Sequence, residues 1–238
     1  MNLRLTASLL ILAAVLANVG FTALGSIFNY PDVLNEPAGA VLADFRSHQT
    51  AVAGWFGVLA ASAALLAPIA LGVGRLSSAR AMRIAVPVGI AAAVVQVVGL
   101  LRWPILVPGY ASDAASADAS VAASARDAFE TVSTVLGTAI GETGGYLLTG
   151  VWTVLVVVAL GRGYAGRWFA SLGVASATLI LAGVLSPLEL PVIDTANFVG
   201  YVLWSVWLIA FGVVILARQR RSAATRSAAA PGFRTSAS

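Results

Sequence analysis

The sequence predicts an all-α protein, a polytopic transmembrane bundle of six helices with both termini in the cytoplasm. Three observations carry that expectation. The 238 residues are 59% hydrophobic and 10% charged, with a mean hydropathy of +0.92. A soluble domain carries about 25% charged residues, so this chain lacks the polar surface to face water on all sides. Six stretches are long enough to cross a hydrocarbon core that takes about 20 apolar residues. Arginines and acids then segregate between the loops that join those stretches.

The expected spans are Leu5–Ile27, Ala51–Val73, Ile84–Leu101, Thr138–Leu160, Trp168–Leu185 and Ala196–Ala217. Arg4 before a leucine- and alanine-rich run gives the first the look of a signal peptide. Its apolar length is too great for one and five more spans follow, so it reads as a helix. The next loop, NYPDVLNEPAGAVLADFRSHQ, holds two prolines and predicts a short amphipathic helix around Ala38–Phe45. Pro68, inside the second span, frees the carbonyl of Ala64 and predicts a kink. The connections GRLSSARAMR and GRGYAGRW are short, so the helices they join are antiparallel neighbours. Between the third and fourth spans lies WPILVPGYASDAASADASVAASARDAF, rich in alanine, serine and aspartate. Val121, Ala125, Ala128, Val132 and Val135 have helical spacing, and Asp118 is a candidate N-cap. The fourth helix is therefore expected to begin outside the membrane. Residues 1–217 form the transmembrane domain. Residues 218–238 are rich in alanine, serine and arginine, with Pro231 and Gly232, and predict a disordered basic cytoplasmic tail suited to anionic lipid.

Arg4, Arg75, Arg80, Arg83, Arg162, Arg167 and the tail arginines fall on one side of the six-span arrangement. Arg46, Arg102, Arg126 and all the acids fall on the other. The positive-inside rule makes the first side cytoplasmic. The pI near 10.1 is explained by this topology, and no nucleic-acid partner is expected. A threefold helical-hairpin repeat is suggested by prolines ending the odd spans (Pro31, Pro104, Pro187) and by GYLLTGVW resembling GYVLWSVW.

Composition excludes several chemistries. There is no cysteine, so thiolate metal sites are excluded. All 14 basic residues are arginine, which excludes lysine-linked retinal or pyridoxal phosphate. The single histidine, His48, excludes bis-histidine haem. No Walker loop, HExxH or GxSxG motif is present.

The segment GTAIGETGGY concentrates the interest. Gly137, Gly141 and Gly145 recur every four residues, a ridge that lets a second helix backbone approach, within one chain or between two copies. Glu142 beside it lies about 27 Å above the inner helix end at Leu160, just inside the outer boundary. Arg102 ends the third span at a matching depth and is the expected ion-pair partner. His48, Tyr30, Tyr146 and Asn197 gather at the same level, with Trp152 and Trp204 beneath as candidate walls of an outward-facing pocket. Trp103 reads as part of an interfacial aromatic belt. Asn18 and Gln96, deeper still, are expected to hydrogen-bond between helices.

The stretches ANVGFTALGSIFNYPDVL, LLRWP, GETGGYLLTGVWT and ANFVGYVLWSVWLIAFGVVIL resemble a bacterial six-helix membrane family, domain of unknown function 4386. The resemblance implies an inner-membrane protein. It supplies no activity or cofactor, and it adds interest to Pro31, Pro104, Gly200 and Tyr201 within the matching stretches. The leading expectation is a binding or accessory module for a small apolar molecule or lipid. The alternatives are a small secondary transporter, proton-coupled through Glu142, and an intramembrane enzyme that draws a metal or partner from outside.

Overall fold

The chain begins with α1 (Leu3–Phe28), whose N-cap Asn2 accepts a hydrogen bond from the Arg4 N–H at 3.0 Å. Asn29 ends it at φ 48°, a left-handed conformation that asparagine tolerates better than most side chains. In this computed structural model, residues 2–188 and 190–228 are described. After a 3-10 turn at Asp32–Asn35 come α2 (Ala38–Ser47), α3 (Gln49–Ala64) and α4 (Leu66–Val73). The break between α3 and α4 falls at Leu65, three residues before Pro68, as a proline that cannot donate to Ala64 requires. Next are α5 (Arg80–Ile105), α6 (Val107–Asp113) and α7 (Ala119–Val132). Asp118 caps α7, accepting from the N–H of Ser120 at 2.8 Å.

From Ser133 to Gly144 the helix is wound as a π-helix, and it returns to α geometry in α8 (Gly145–Leu160). The short α9 (Arg162–Ala165) leads to α10 (Arg167–Ala182), and α11 (Pro191–Ala228) ends the described chain. The expected disordered tail differs here. Its first part, to residue 228, continues α11, because alanine and arginine favour helix and no proline intervenes before Pro231. The rest of the expected tail, residues 229–238, lies outside the described residues.

Six of these helical stretches are long and apolar enough to cross a membrane: Leu3–Phe28, Gln49–Leu76, Arg80–Asp113, Ala119–Leu160, Arg167–Leu188 and Val192–Ser222. Each packs on its neighbours in the chain, α1 on α3, α3 on α5, α5 on α8, α8 on α10 and α10 on α11. The last packs back on the first, so the bundle closes as a ring. Val94, Ile105, Val158 and Phe198 are exposed on its outer surface, where hydrocarbon is the favourable solvent.

Two apolar clusters fill the interior. Toward the arginine-rich end, Leu10, Ile69, Trp152, Phe169, Trp207 and Phe211 pack together. At the acidic end, Phe28, Phe45, Phe56 and Phe129 surround Trp103. The Trp103 ring stacks on Phe56 at 4.6 Å and has no exposed surface. This corrects the interfacial-belt expectation. The helices α2, α6 and α7 pack on one another at this end and cover the ring.

Candidate binding site

The stripe of Gly137, Gly141 and Gly145, spaced four residues apart, faces α5 within the same chain. A Cβ at Gly137 would lie 2.7 Å from Arg102 Nη2, one at Gly141 3.0 Å from Gly99 Cα, and one at Gly145 3.0 Å from Gln96 Cγ. Each glycine thus meets a residue one turn farther back along α5, as antiparallel helices in close contact do. The stripe continues as Thr149 and Thr153, both buried. Gln96 Nε2 donates to Thr149 Oγ1 at 3.1 Å, so this residue bonds between helices as expected. Trp204 Nε1 of α11 donates to Thr153 Oγ1 at 2.8 Å. The four-residue spacing of both threonines from the glycines is the sequence signal that puts them on this stripe.

Arg102 is 5% exposed. Its Nη1 donates to the Gly99 carbonyl, its guanidinium lies 5.3 Å from the Trp103 ring centroid, and its Nε is buried without a partner. Glu142 is half-buried, one π turn along from Gly137. The two charges act on each other electrostatically, but no ion pair within 4.0 Å joins them. The direct pair expected from the sequence is therefore not formed. The guanidinium is held over Gly137 by the Gly99 carbonyl, and the π winding carries Glu142 past it. No described side chain hydrogen-bonds to the Glu142 carboxylate.

Three phenols complete the layer. Tyr30, Tyr146 and Tyr201 all lie within electrostatic reach of Glu142, and Asp194 reaches both Glu142 and Tyr146. Tyr30 follows the Asn29 turn and stacks on Phe21 at 6.0 Å and against Phe56 at 5.1 Å. Burial raises its phenol pKa, the Glu142 charge adds to this, and Arg102 opposes it. Tyr30 therefore remains a protonated donor at neutral pH. Tyr146 and Tyr201 stand 5.9 Å apart. From Tyr201 a file of rings runs inward through Trp204, Trp152 and Trp207 at 6.2, 6.3 and 6.0 Å.

Other expected site residues take different places. Trp152 has no exposed surface and its Nε1 is unpartnered, so it is a core side chain and no open wall. Trp204 is half-buried in the same file of rings. Asn197 is buried and donates to the Ile180 carbonyl at 2.9 Å, tying α11 to α10. His48 is exposed and sits 3.3 Å from Asp44, apart from the Glu142 layer. Asn18 donates to Ala14 O of its own helix at 2.7 Å, not between helices as expected. The bond that joins α1 to α3 comes from Ser62, whose Oγ donates to Ala13 O at 2.8 Å. Among the described residues, no three His, Cys, Asp or Glu side chains gather where a metal could sit.

Six long apolar helices around a layer of one arginine, one glutamate and three tyrosines define a multi-pass integral membrane protein with a polar cluster near one end. The chain belongs to the DUF4386 family, a domain of unknown function, which matches residues 5–212. No curated protein and no solved structure matches it.

Proposed function

We propose that this protein is a binding or accessory module of the bacterial cytoplasmic membrane, with both termini inside. It holds a small, partly apolar molecule or lipid at the Tyr30, Arg102, Glu142, Tyr146 and Tyr201 layer, which opens outward. The observation that carries this reading is the buried Arg102, whose Nε lacks a partner while Glu142 stays out of ion-pair range. Unpaired charges at this depth cost several kcal/mol, so groups that bridge them gain affinity. An amphiphile with an acidic head satisfies Arg102, and a hydroxyl or amine on it satisfies Glu142. The three phenols supply donors and an apolar lining. A threefold hairpin repeat, supported by the prolines Pro31, Pro104 and Pro187 that end the odd spans, would put this layer at one end of three related units.

The test is extraction of bound small molecules from protein purified in detergent, followed by mass spectrometry. One amphiphile should be retained by the native chain at near-stoichiometric level and lost from Arg102→Gln and Tyr146→Phe. The same lipids in equal amounts in all three would refute the reading.

One observation favours a second reading, transport coupled to protons through Glu142. The hydrogen-bonded groups Gln96, Thr149, Thr153 and Trp204 continue the polar layer inward. Uptake into liposomes that is unchanged in Glu142→Gln would remove the proton-coupled version.

A further inference from the structure

At the arginine-rich end a cavity of about 450 Å³ opens between the start of α1, the end of α11 and the α9 turn. Its apolar side is formed by Leu3, Leu76 and Ile215, the last 1% exposed. Its polar side carries Arg4 and Arg218. Arg218 is held in place: its guanidinium lies 4.3 Å from the Tyr164 ring centroid, and its Nη2 donates to the carbonyls of Gly163 and Tyr164. Its Nε and Nη1 are left with no described partner, and no described group engages the Arg4 guanidinium. Among the described residues, no acid lines the cavity.

Two cations over an apolar floor, at the level where the helices leave the bilayer, match one kind of molecule. A phosphate takes charge-assisted hydrogen bonds from arginine in a fixed geometry. Acyl chains take the apolar side. A zwitterionic headgroup would bring a cation that finds no carboxylate here and is repelled by both arginines. We propose that this cavity binds an anionic phospholipid, its phosphate between Arg4 and Arg218 and its chains along Leu3, Leu76 and Ile215. Basic pockets between membrane helices suit such headgroups.

The test uses the full chain in detergent, titrated with phosphatidylglycerol, phosphatidylcholine or inorganic phosphate and read by native mass spectrometry. Phosphatidylglycerol should bind in preference. Arg4→Gln with Arg218→Gln should lose about 30-fold in apparent affinity, which corresponds to about 1 kcal/mol for each arginine. Arg4→Gln alone breaks no described side-chain contact, so it leaves the fold intact, and it should lose about 5-fold. Arg80→Gln with Arg83→Gln, at the same end but off the cavity, should change nothing. Equal binding of phosphatidylcholine, or an equal loss in the Arg80/Arg83 variant, would overturn the proposal. Inorganic phosphate that competes fully with the lipid would show a free-anion site and overturn it too.

Discussion

Replacing Gly99 with alanine tests the contact that fixes the candidate site. A Cβ there would stand 2.6 Å from Gly141 Cα and 3.0 Å from Leu136 O, all backbone atoms. Ordinary contact begins near 3.4 Å. The α5 helix and the π segment would have to separate by roughly 0.8 Å, and no side chain can move aside to absorb it. Overpacking of this kind costs about 1–3 kcal/mol, offset by up to about 1 kcal/mol from the better helix propensity of alanine. The net loss should be about 1–2 kcal/mol, or roughly 2–8 °C in Tm for a chain of this size. Gly54→Ala is the control, because nothing lies within 4 Å of a Cβ there. It should gain a little stability. Thermal unfolding in one detergent, followed by size-exclusion recovery, compares the two. A Gly99→Ala protein as stable as Gly54→Ala would refute the close approach and the register of Glu142 that depends on it.

Thr153→Val removes the acceptor of the Trp204 indole at nearly constant volume. A double-mutant cycle with Trp204→Phe should show a coupling of about 1 kcal/mol, and simple additivity would exclude the bond. The Asp118 cap gives a pH dependence. Its carboxyl is held below the usual range, first by the Ser120 hydroxyl and then by the N–H groups of Ser120 and Val121. A pKa lowered by folding means that the cap stabilises above the unfolded value of about 4, and that this is lost as pH falls through the lower folded value. Amide exchange in the first turn of α7, corrected for intrinsic rates, should speed up in that acid window. In Asp118→Asn, which caps without titrating, it should not.

The sequence shows the spans because a bilayer imposes length and apolarity directly on the chain, so a run such as Leu5–Ile27 needs no tertiary information to be found. Asp118 was legible for the same local reason, as its side chain satisfies donors two and three residues away. The side chains at the acidic end were harder. Trp103 reads as interfacial by its position, and its burial depends on α2, α6 and α7 folding over it, which is a property of loops far apart in sequence. Counting α-helical rises puts Glu142 level with Arg102. The π winding of Ser133–Gly144 breaks that count, since nothing in the local composition separates it from an α-helix. The depth of Asn18 suggests a partner on a neighbouring helix, which its own Ala14 carbonyl makes unnecessary.

The glycine stripe also bears on whether copies of this chain associate. In hydrocarbon, helices gain little by hiding valine or leucine from lipid tails that are equally apolar, and small residues give the close backbone contact that holds partners together. Here Gly99, Gly137, Gly141 and Gly145 are occupied inside one ring. Toward lipid the ring offers faces of Val94, Val158, Val206 and Val213, for which the tails compete on even terms, and a small-residue stripe of Gly54, Gly57, Ala61 and Ala64 on the second span, with open space beside both glycines. A dimer held within the hydrocarbon would therefore meet at that stripe, whereas one held by the helices of the acidic end or by Arg218, Arg220 and Arg221 of α11 should follow ionic strength and headgroup charge more than tail length.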